Sequence, residues 1–330
     1  MSKPWDIYWL RGILILLEDF SFSIDPQSKI AEGDFILISH AHSDHIAGFS
    51  SKKPKLASYL TVKLIEALTR RKSRNIIPAF LPSQRFNLAG LEIETYNAGH
   101  ILGSLQFHFR RRTTTLTYTG DFNLESTLIT KAAKPIECDE LIIDATYGHP
   151  EINFPPREII YNEIADFIEK AIKNEQPPAF YAYPIGKAQE LIALINKYLN
   201  LEVIIDGEIS RVNKVYKANG YEFKTIKLKS KEASESLKSG SLPIIVSNKN
   251  RLKSQEKYNV VKAIATGLAA IWPFKNYYKA FPLSNHSDFK ETIQYIEQAK
   301  PKQIYTVGYH AQSLAEWIKR NMKTKVNPLI

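Results

Sequence analysis

Short apolar runs separated by turns dominate the first 145 residues of the chain. Runs of this kind predict strands. The predicted strands are Phe35 to Ser39, Leu91 to Tyr96, Leu105 to Phe109, Leu116 to Thr119 and Leu141 to Ile143. Apolar residues at helical spacing predict one helix in this part, from Leu60 to Leu68. The first part of the chain is therefore predicted to form a sheet-rich layer.

The middle of the chain follows a different pattern, in which helical and strand-like segments alternate. Glu158 to Ile172 and Ala188 to Leu199 have helical spacing, whereas Phe180 to Pro184 and Val203 to Ile205 resemble strands. This alternation indicates a βαβ unit with a parallel sheet. The strand-rich character returns after about residue 270.

The last sixty residues contain a predicted strand between two predicted helices. The helices are Lys290 to Gln298 and Ala311 to Met322, and the strand is Gln303 to Val307. The middle segment therefore looks inserted into a flanking domain. We predict one domain made of residues 1–150 and 271–330 and a second made of residues 151–270.

Composition is that of an ordinary globular protein, since 330 residues with 44% hydrophobic content can build one large core or two domains. Apolar stretches such as Ile13 to Leu17 fall far short of the roughly 20 residues that a membrane span needs. Asp6 and Arg11 interrupt the place of a secretory signal. Cys138 is the single cysteine, which excludes an intrachain disulfide and a thiolate metal site. We expect an intracellular, cytoplasmic protein without membrane contact.

The chain is basic, with a net charge of +10 and a pI near 9.3. This balance favours an anionic partner such as nucleic acid. The basic residues cluster at Arg70, Arg71, Lys72 and Arg74, at Arg110 to Arg112, and at Lys224, Lys227, Lys229 and Lys231. A solvated surface explains any single cluster equally well, so the total charge is the better evidence.

The densest group of candidate ligands runs from His40 to His45, with the sequence His-Ala-His-Ser-Asp-His. It follows the continuous apolar run Phe35 to Ile38, which predicts a strand buried on both faces and a rigid support for the next loop. The first two imidazoles, two positions apart on an extended loop, can point the same way. Asp44 and His45 can then face a second ion as the chain turns. A helix cap with incidental histidines is the alternative interpretation.

Two later residues complete the candidate ligand set, because four ligands on one loop do not finish two metal sites. His100 lies between two strand-like runs, in a loop whose glycines permit close backbone approach. Asp121 follows another apolar run, and a carboxylate there could bridge two cations. Either residue alone would be an ordinary loop histidine or turn aspartate. Beside the first cluster, both are predicted to bind metal.

These three segments, with Asp144-Ala145-Thr146-Tyr147-Gly148 after them, resemble the successive motifs of the metallo-β-lactamase fold nucleases of the β-CASP family. The resemblance extends over nearly the whole chain. It implies an α/β fold in which a metallo-β-lactamase αββα sandwich carries an inserted α/β β-CASP cap domain over the metal centre. Residues 183–190 resemble the family's glycine-basic turn in the cap, and residues 284–289 resemble its later histidine motif.

The resemblance also implies roles for individual residues. It implies a first metal site of His40, His42, His100 and Asp121, and a second of Asp44, His45 and Asp121. Zinc is the expected cofactor, as one or two ions, with manganese or magnesium as alternatives in the second site.

Three residues are predicted to be catalytic: Asp44, Asp144 and His286. His286 could donate a proton to the leaving oxygen or hold a phosphate oxygen, while Asp144 orients it through the other ring nitrogen. We predict that Lys187, Ser284 and His310 bind substrate. The alternatives are a capping histidine at His286 and a solvent-facing lysine at a helix start for Lys187.

One position departs from the RNA-cutting members of the family, such as the cleavage-and-polyadenylation endonuclease and ribonuclease J. Those members have a second-site histidine where this chain has Val307. The DNA-acting members, which include Artemis and the crosslink-repair nucleases, resemble this chain in having valine there and aspartate at the position of Asp144. The analogy favours DNA over RNA and a weaker second metal site. The bacterial ligase-associated exonucleases are also similar in size and in the Gly-Lys-Ala-Gln turn, but they have histidine at the position of Val307.

The function predicted from the sequence is metal-dependent hydrolysis of phosphodiester bonds in DNA, by a repair exonuclease or a structure-specific endonuclease. An RNA-processing nuclease of the same family is the first alternative, and His310 keeps it open because it could supply the missing ligand if its loop bends differently. A small-molecule hydrolase is the second alternative, disfavoured by the large insert and the basic charge. A binding module with a vestigial metal site is the third. Polarity, exo- or endonuclease action, the physiological metal and the oligomeric state stay open.

Overall fold

Strands dominate the chain up to Asp144, whereas strands and helices alternate in the rest. The computed structural model describes residues 4–29, 31–72, 74–80 and 83–330. Contacts divide the chain into a first unit of Met1–Ser126, Thr130–Ile152 and His286–Ile330, and a second unit of Thr127–Ile129 and Asn153–Asn285. The helices, in chain order, are α1 (Tyr59–Thr69), α2 (Arg157–Lys173), α3 (Lys187–Leu199), α4 (Gly207–Lys217), α5 (Lys231–Ser239), α6 (Lys249–Lys253), α7 (Phe289–Ala299) and α8 (Ala311–Asn321).

The first sheet of the first unit has, within the described residues, six strands in the order β1-β2-β3-β4-β5-β6. They are β1 (Asp6–Trp9), β2 (Ile13–Leu16), β3 (Ser21–Ile24), β4 (Phe35–Ile38), β5 (Lys55–Ser58) and β6 (Ile76–Ala79). The last four run parallel to one another, so their carboxyl ends lie side by side at one end of the sheet. β4 is buried along its whole length, as its continuous apolar run predicts.

The second sheet of this unit has seven strands among the described residues, in the order β19-β18-β11-β10-β9-β8-β7. Five are consecutive: β7 (Ser83–Leu88), β8 (Leu91–Asn97), β9 (Leu105–Arg111), β10 (Thr114–Tyr118) and β11 (Glu140–Asp144). The other two end the chain and are called β18 (Gln303–Val307) and β19 (Lys325–Pro328), because β12 to β17 belong to the second unit. β10, β11 and β18 are parallel neighbours.

Apolar side chains from both sheets fill one core, in which Phe22 and Leu37 of the first sheet are clustered with Phe107 and Tyr118 of the second. The outer face of the second sheet packs on α7 and α8. α1 lies against β5 and β6. Helices therefore cover two central sheets, which is the αββα sandwich expected from the motifs.

The second unit is an α/β layer structure with a parallel sheet, as the alternating pattern predicts. Its strands are β12 (Pro178–Tyr181), β13 (Val203–Ile205), β14 (Thr225–Lys227), β15 (Ile244–Val246), β16 (Val261–Ala265) and β17 (Lys279–Phe281). They are ordered β14-β13-β15-β12-β16-β17, and each neighbouring pair is parallel. Apolar residues of α2 and α3 cluster with strand residues in one core, and those of α5 and α6 do so in another.

The second unit extends beyond residue 270, where the sequence pattern placed a boundary. β17 pairs with β16 of the same sheet, so the unit continues to Asn285. The assignment of the two units as a metallo-β-lactamase domain and a β-CASP cap domain stays a prediction. No helix in the described part of the chain is both long and apolar enough to cross a membrane.

Candidate metal centre

The candidate ligands lie in loops that follow three strands of the first unit, and Asp144 ends a fourth strand. His40, His42 and His45 follow β4, and His100 follows β8. Asp121 follows β10, and Asp144 is the last residue of the neighbouring parallel strand β11. Rigid strands on both sheets thus support the side chains, because each loop begins at a hydrogen-bonded strand end.

Asp121 lies at the centre of this group. The distances from its Oδ2 atom to surrounding imidazole Nε2 atoms are 3.4 Å for His40, 3.6 Å for His45, 3.6 Å for His100 and 3.8 Å for His286. The Nδ1 atom of His42 lies 3.0 Å from the Nε2 atom of His100. Ligand atoms about 2.0–2.2 Å from one tetrahedral ion are about 3.3–3.6 Å apart. The separations of 3.4–3.6 Å between Asp121 and the rings of His40, His45 and His100 therefore suit a shared cation better than direct hydrogen bonds.

One set of four residues offers one ligand atom each, with all four atoms within 4.8 Å of one another: His40, His42, His100 and Asp121. These are the residues that the sequence motifs imply for the first metal site. Three imidazoles and a carboxylate are a donor set that zinc accepts in tetrahedral coordination. The structure thus brings the predicted first set together.

The state of His40 fits a metal ligand. Its Nδ1 atom lies 2.9 Å from Ser39 Oγ, and that hydroxyl donates to Asp25 Oδ2 at 2.5 Å. The hydroxyl proton is therefore committed, so Nδ1 donates to Ser39 and Nε2 carries a lone pair. This buried Nε2 has no hydrogen-bond partner among the described residues. Burial, followed by the charges of neighbouring histidines, holds the pKa of His40 well below its ordinary value, so the imidazole is neutral as a ligand must be.

Asp25 is a further candidate residue of the centre, which the sequence pattern did not reveal. It directly follows β3, and its carboxylate accepts hydrogen bonds from Ser39, His45 and Tyr118. The His45 Nδ1 atom is 2.9 Å away, which directs the His45 Nε2 atom toward Asp121. Asp25 belongs to a second potential ligand group with His40 and His45. Since both its oxygens accept hydrogen bonds, we assign it the orientation of ligands rather than ligation.

The second predicted set, Asp44, His45 and Asp121, is more open. The Asp44 side chain is 70% exposed, and its Oδ2 atom lies 3.6 Å from His45 Nε2. None of the ligand groups formed by the described residues includes Asp44. Asp121 approaches His45 at the same distance of 3.6 Å. The structure therefore places all three residues near one another but offers few protein ligands at this position.

The buried carboxylates of the group favour a positive charge beside them. Burial lowers the pKa of the His45 imidazole, but the carboxylates of Asp121, Asp25 and Asp44 outweigh it and raise the pKa to about 10. Burial raises the pKa of Asp121 to about 6, against the opposing charges of His45 and His286. Without a metal, the carboxylates thus hold protons on their neighbours. A bound cation would supply the positive charge in place of those protons, since metal ligands must be deprotonated.

Asp144 and His286 form a pair beside Asp121. The His286 Nδ1 atom lies 2.9 Å from Asp144 Oδ2, and the other oxygen of Asp144 accepts from the backbone and hydroxyl of Thr146. Burial disfavours the charge of Asp144, but the hydrogen bond and the attraction of His286 outweigh it and lower the pKa of Asp144. Burial likewise disfavours the charged form of His286, but the carboxylates of Asp121 and Asp144 raise its pKa. The carboxylate therefore fixes the ring, and the His286 Nε2 atom is left to face the ligand group. Asp121, Asp144 and His286 also form a third potential ligand set.

Comparison with known proteins shows which proteins the chain resembles. Residues 16–168 match the family model described as the beta-lactamase superfamily domain, and this stretch contains the candidate ligands from His40 to Asp121. Over this stretch the chain resembles the metallo-β-lactamase superfamily. Over 96% of its length it is 27% identical to a probable DNA ligase of Opitutus terrae. Over 86% of its length it is 26% identical to an RNase J-like protein of Methanocaldococcus jannaschii, and over 61% it is 26% identical to the transcription termination factor FttA of a Lokiarchaeum species. The β-CASP assignment made from the sequence motifs is confirmed.

The relatives differ in how much of their length this chain spans. It spans 30% of the probable ligase and 37% of the termination factor, but 83% of the RNase J-like protein. A crystal structure of a protein of unknown function from Enterococcus faecalis is similar with a TM-score of 0.67, covering 98% of this chain and 96% of the other. At 12% identity, that likeness concerns the fold alone.

Val307, the position at which the chain departs from the RNA-cutting β-CASP members, lies next to Asp144. The two residues are partners in the parallel pairing of β11 with β18. Val307 belongs to the core between the sheets, as does Ile142, two residues before Asp144. Side chains two positions apart share a face of a strand, so Val307 and Asp144 are on the same face.

His310 lies immediately before α8, and its backbone N–H donates to the carbonyl oxygen of Ala145, the residue after Asp144. Its ring centroid is 5.6 Å from that of His149. Burial, together with the charge of His149, lowers its pKa. None of the ligand groups found among the described residues contains His310. Its predicted roles in substrate or metal binding stay predictions.

We expect Val307→His to tighten a second metal ion that exchanges readily in the parent protein. The reason is that the parent's second set has only three protein ligands and Val307 shares the face of Asp144. A four-ligand zinc site contributes roughly 10–16 kcal/mol, so one added ligand is worth about 3 kcal/mol, or around 100-fold in affinity. Calorimetric metal titration of the parent, Val307→His and His310→Ala proteins measures this. Two equally tight ions in the parent, one of them lost in His310→Ala, would identify His310 as the missing ligand.

Lys187 and Ser284, both predicted to bind substrate, belong to the second unit. Lys187 begins α3 and is buried, with its Nζ atom 3.4 Å from Glu190. Burial lowers its pKa to about 8, although Glu190 acts in the opposite direction. The carbonyl oxygen of Ser284 accepts from Arg157 at 2.6 Å, and Arg157 also pairs with Glu190. Within their unit, both residues take part in a buried polar network, and their contact with substrate stays a prediction.

Proposed function

We propose that this chain is a metal-dependent phosphodiesterase that hydrolyses nucleic acid. The observation that carries the proposal is the arrangement around Asp121. Three histidines, among them the buried and neutral His40, form a ligand set with this carboxylate. The pair of His286 and Asp144 lies beside the set. Zinc is the proposed metal, because this donor set suits it, with manganese or magnesium as alternatives at the more open position near Asp44.

Each part of the centre has a role in the proposed reaction. Bound divalent ions supply positive charge that offsets the phosphate's negative charge and activate water for attack. His286 presents Nε2 beside Asp121 and can donate a proton to the leaving oxygen, whereas Asp144 holds the ring through Nδ1. Asp25 holds His45, and through Ser39 it holds His40, in the orientation that ligation needs.

Nucleic acid as the substrate class is supported by the net charge of +10 and by the printed names of the relatives. For DNA, the support is Val307 beside Asp144, and a relative matched over 96% of this chain that is named a probable DNA ligase. We propose DNA on these grounds, with a repair exonuclease or a structure-specific endonuclease as the type of enzyme. RNA is the second candidate, because a relative named RNase J-like is matched over 86% of this chain and 83% of its own length.

The proposal is tested by incubating metal-loaded protein with end-labelled single- and double-stranded DNA and RNA. We expect cleavage that a chelator stops and that added zinc or manganese restores. The product lengths distinguish stepwise removal from an end from internal cuts, and labels at either end give the polarity. A preference for RNA over DNA of equal sequence would overturn the DNA proposal. Hydrolysis of a lactam or thioester without cleavage of any oligonucleotide would overturn the nuclease proposal as a whole.

A further inference from the structure

Two aromatic rings lie stacked on the surface of the first unit. Tyr59 is 41% exposed and Phe80 is 54% exposed. Their ring centroids are 5.5 Å apart, with an angle of 22° between the ring planes. An exposed pair of this kind leaves apolar area in water, and apolar surface that stays exposed in a folded protein often marks an interaction site.

The pair lies at the same end of the first sheet as the candidate metal ligands. β4, β5 and β6 are adjacent and parallel, and their carboxyl ends are followed by the ligand loop, by Tyr59 and by Phe80, respectively. Neighbouring strands are about 4.8 Å apart. The strand that precedes Tyr59 is therefore about one strand spacing from the strand that precedes His40, and the strand that precedes Phe80 is about two spacings from it.

Hydrogen bonds connect residues beside Tyr59 to a second ligand loop. The hydroxyls of Ser58 and Thr61, on either side of Tyr59, donate to the carbonyl oxygen of Gly103 at 2.6 and 3.0 Å. Gly103 has a φ of +83°, and a Cβ atom there would lie 2.7 Å from Leu60 Cβ. The start of α1 thus packs closely on the loop that contains His100, three residues before Gly103. Tyr59 is therefore held in a fixed position relative to the ligand group, and Phe80 stacks on its ring.

One basic residue of α1 lies beside the aromatic pair, and others follow the far end of the helix. The Lys63 Nζ atom lies 5.4 Å from the centroid of the Tyr59 ring. Beyond the end of the helix, Arg70, Arg71, Lys72 and Arg74 are exposed. Aromatic faces next to a basic path are the combination with which proteins bind single strands, because bases stack on the rings while cations follow the backbone.

We propose that Tyr59 and Phe80 form a stacking platform for unpaired bases of a single-stranded nucleic acid whose backbone passes the metal centre. The inference rests on the proposed nuclease function and specifies it further. A base inside a duplex has no free face for the rings, so the platform selects a single strand, a frayed end or a flap. Charge complementarity with Lys63 and with the exposed basic residues that follow α1 favours this partner over an apolar protein surface.

The test compares the metal-loaded parent with the double variant Tyr59→Ala/Phe80→Ala on a single-stranded oligonucleotide. Loss of base stacking is expected to raise the dissociation constant and KM by about 10-fold or more, with kcat little changed. A series of oligonucleotides, each with one abasic site, then locates the stacked base. The abasic site at that position should weaken binding to the parent by a similar factor and have little further effect in the double variant.

Two control variants match this design. Tyr8→Ala removes an aromatic residue of similar exposure, 46%, from β1 at the opposite edge of the sheet, and it should change neither constant. Tyr59→Phe keeps the ring and should retain binding. Cleavage and binding by the double variant equal to those of the parent, at every abasic position, would overturn the platform and leave the nuclease function intact. Absence of cleavage and of oligonucleotide binding in the parent itself would instead overturn the proposed function and this inference with it.

Discussion

Asp121→Asn is expected to abolish hydrolysis while leaving the protein folded. The Asp121 carboxylate lies within 3.8 Å of four imidazole nitrogens and is the member shared by both predicted ligand sets. An amide has nearly the same shape but lacks the negative charge that attracts cations. Activity should therefore fall by more than the roughly 10- to 100-fold that is typical of changes in residues that only orient metal ligands.

The measurement combines metal content by elemental analysis, activity on the preferred oligonucleotide and thermal unfolding. His42→Ala should behave like Asp121→Asn, because His42 belongs to the same four-ligand group. Asp25→Asn is the matched control: it is also a buried Asp→Asn change at this centre, but it alters a residue that we assign to orientation, so its loss should stay within about 10- to 100-fold. Full activity in Asp121→Asn or His42→Ala, with metal content confirmed, would contradict the ligand assignment.

Elements with a strong local pattern could be predicted from the sequence. β13 and β18 begin and end at the residues predicted for them, and α1 and α3 extend one residue or so beyond their predicted bounds. The predicted strand from Phe180 to Pro184 is shorter in the structure, where β12 ends at Tyr181. Tyr183 and Pro184 lie beyond it, and a proline lacks the N–H that a central strand donates to its neighbours.

The N-terminal strands and the strand pairing could not be predicted in the same way. β1, β2 and β3 have four residues each, too few for a clear periodicity, and their hydrogen-bonded neighbours specify them as much as their own side chains do. The later part of the second unit has helices with many charged residues, such as α4 and α5, whose apolar faces are narrow. Their positions depend on packing that a local pattern does not contain.

The residues of the candidate site also differ in how far the sequence reveals them. The loop from His40 to His45 carries its ligands close together in sequence, so the pattern identifies it directly. Asp25 is separated from Ser39 by 14 residues and from Tyr118 by 93, and only the pairing of β3 with β4 brings it to the ligands. The one sequence signal was a carboxylate directly after a short apolar strand. Burial of Lys187 was equally hidden, because a basic residue at a helix start usually faces solvent.

His286→Ala is expected to lower the rate of phosphodiester cleavage by about 10²- to 10⁴-fold while leaving the metal content unchanged, as is typical for the loss of a general acid. The four-ligand group does not require His286, so the metal should remain. The ring is held by Asp144 at 2.9 Å and presents Nε2 toward Asp121 at 3.8 Å. Asp144→Asn should reduce the rate by a smaller factor, about 10- to 100-fold, because the ring is then present but less firmly oriented.

Two substrates with different leaving groups distinguish proton donation by His286 from its other possible roles. A p-nitrophenyl phosphodiester releases a stable phenolate that needs little protonation, whereas an ordinary nucleotide linkage releases a poor alkoxide leaving group. If His286 donates the proton, His286→Ala should lose much less activity on the p-nitrophenyl ester than on the oligonucleotide. The same comparison in Asp144→Asn should show a smaller difference in the same direction, because Asp144 acts through the ring. Equal losses on both substrates would show that His286 holds the phosphate or a metal ion instead, as its place in the third potential ligand group would allow.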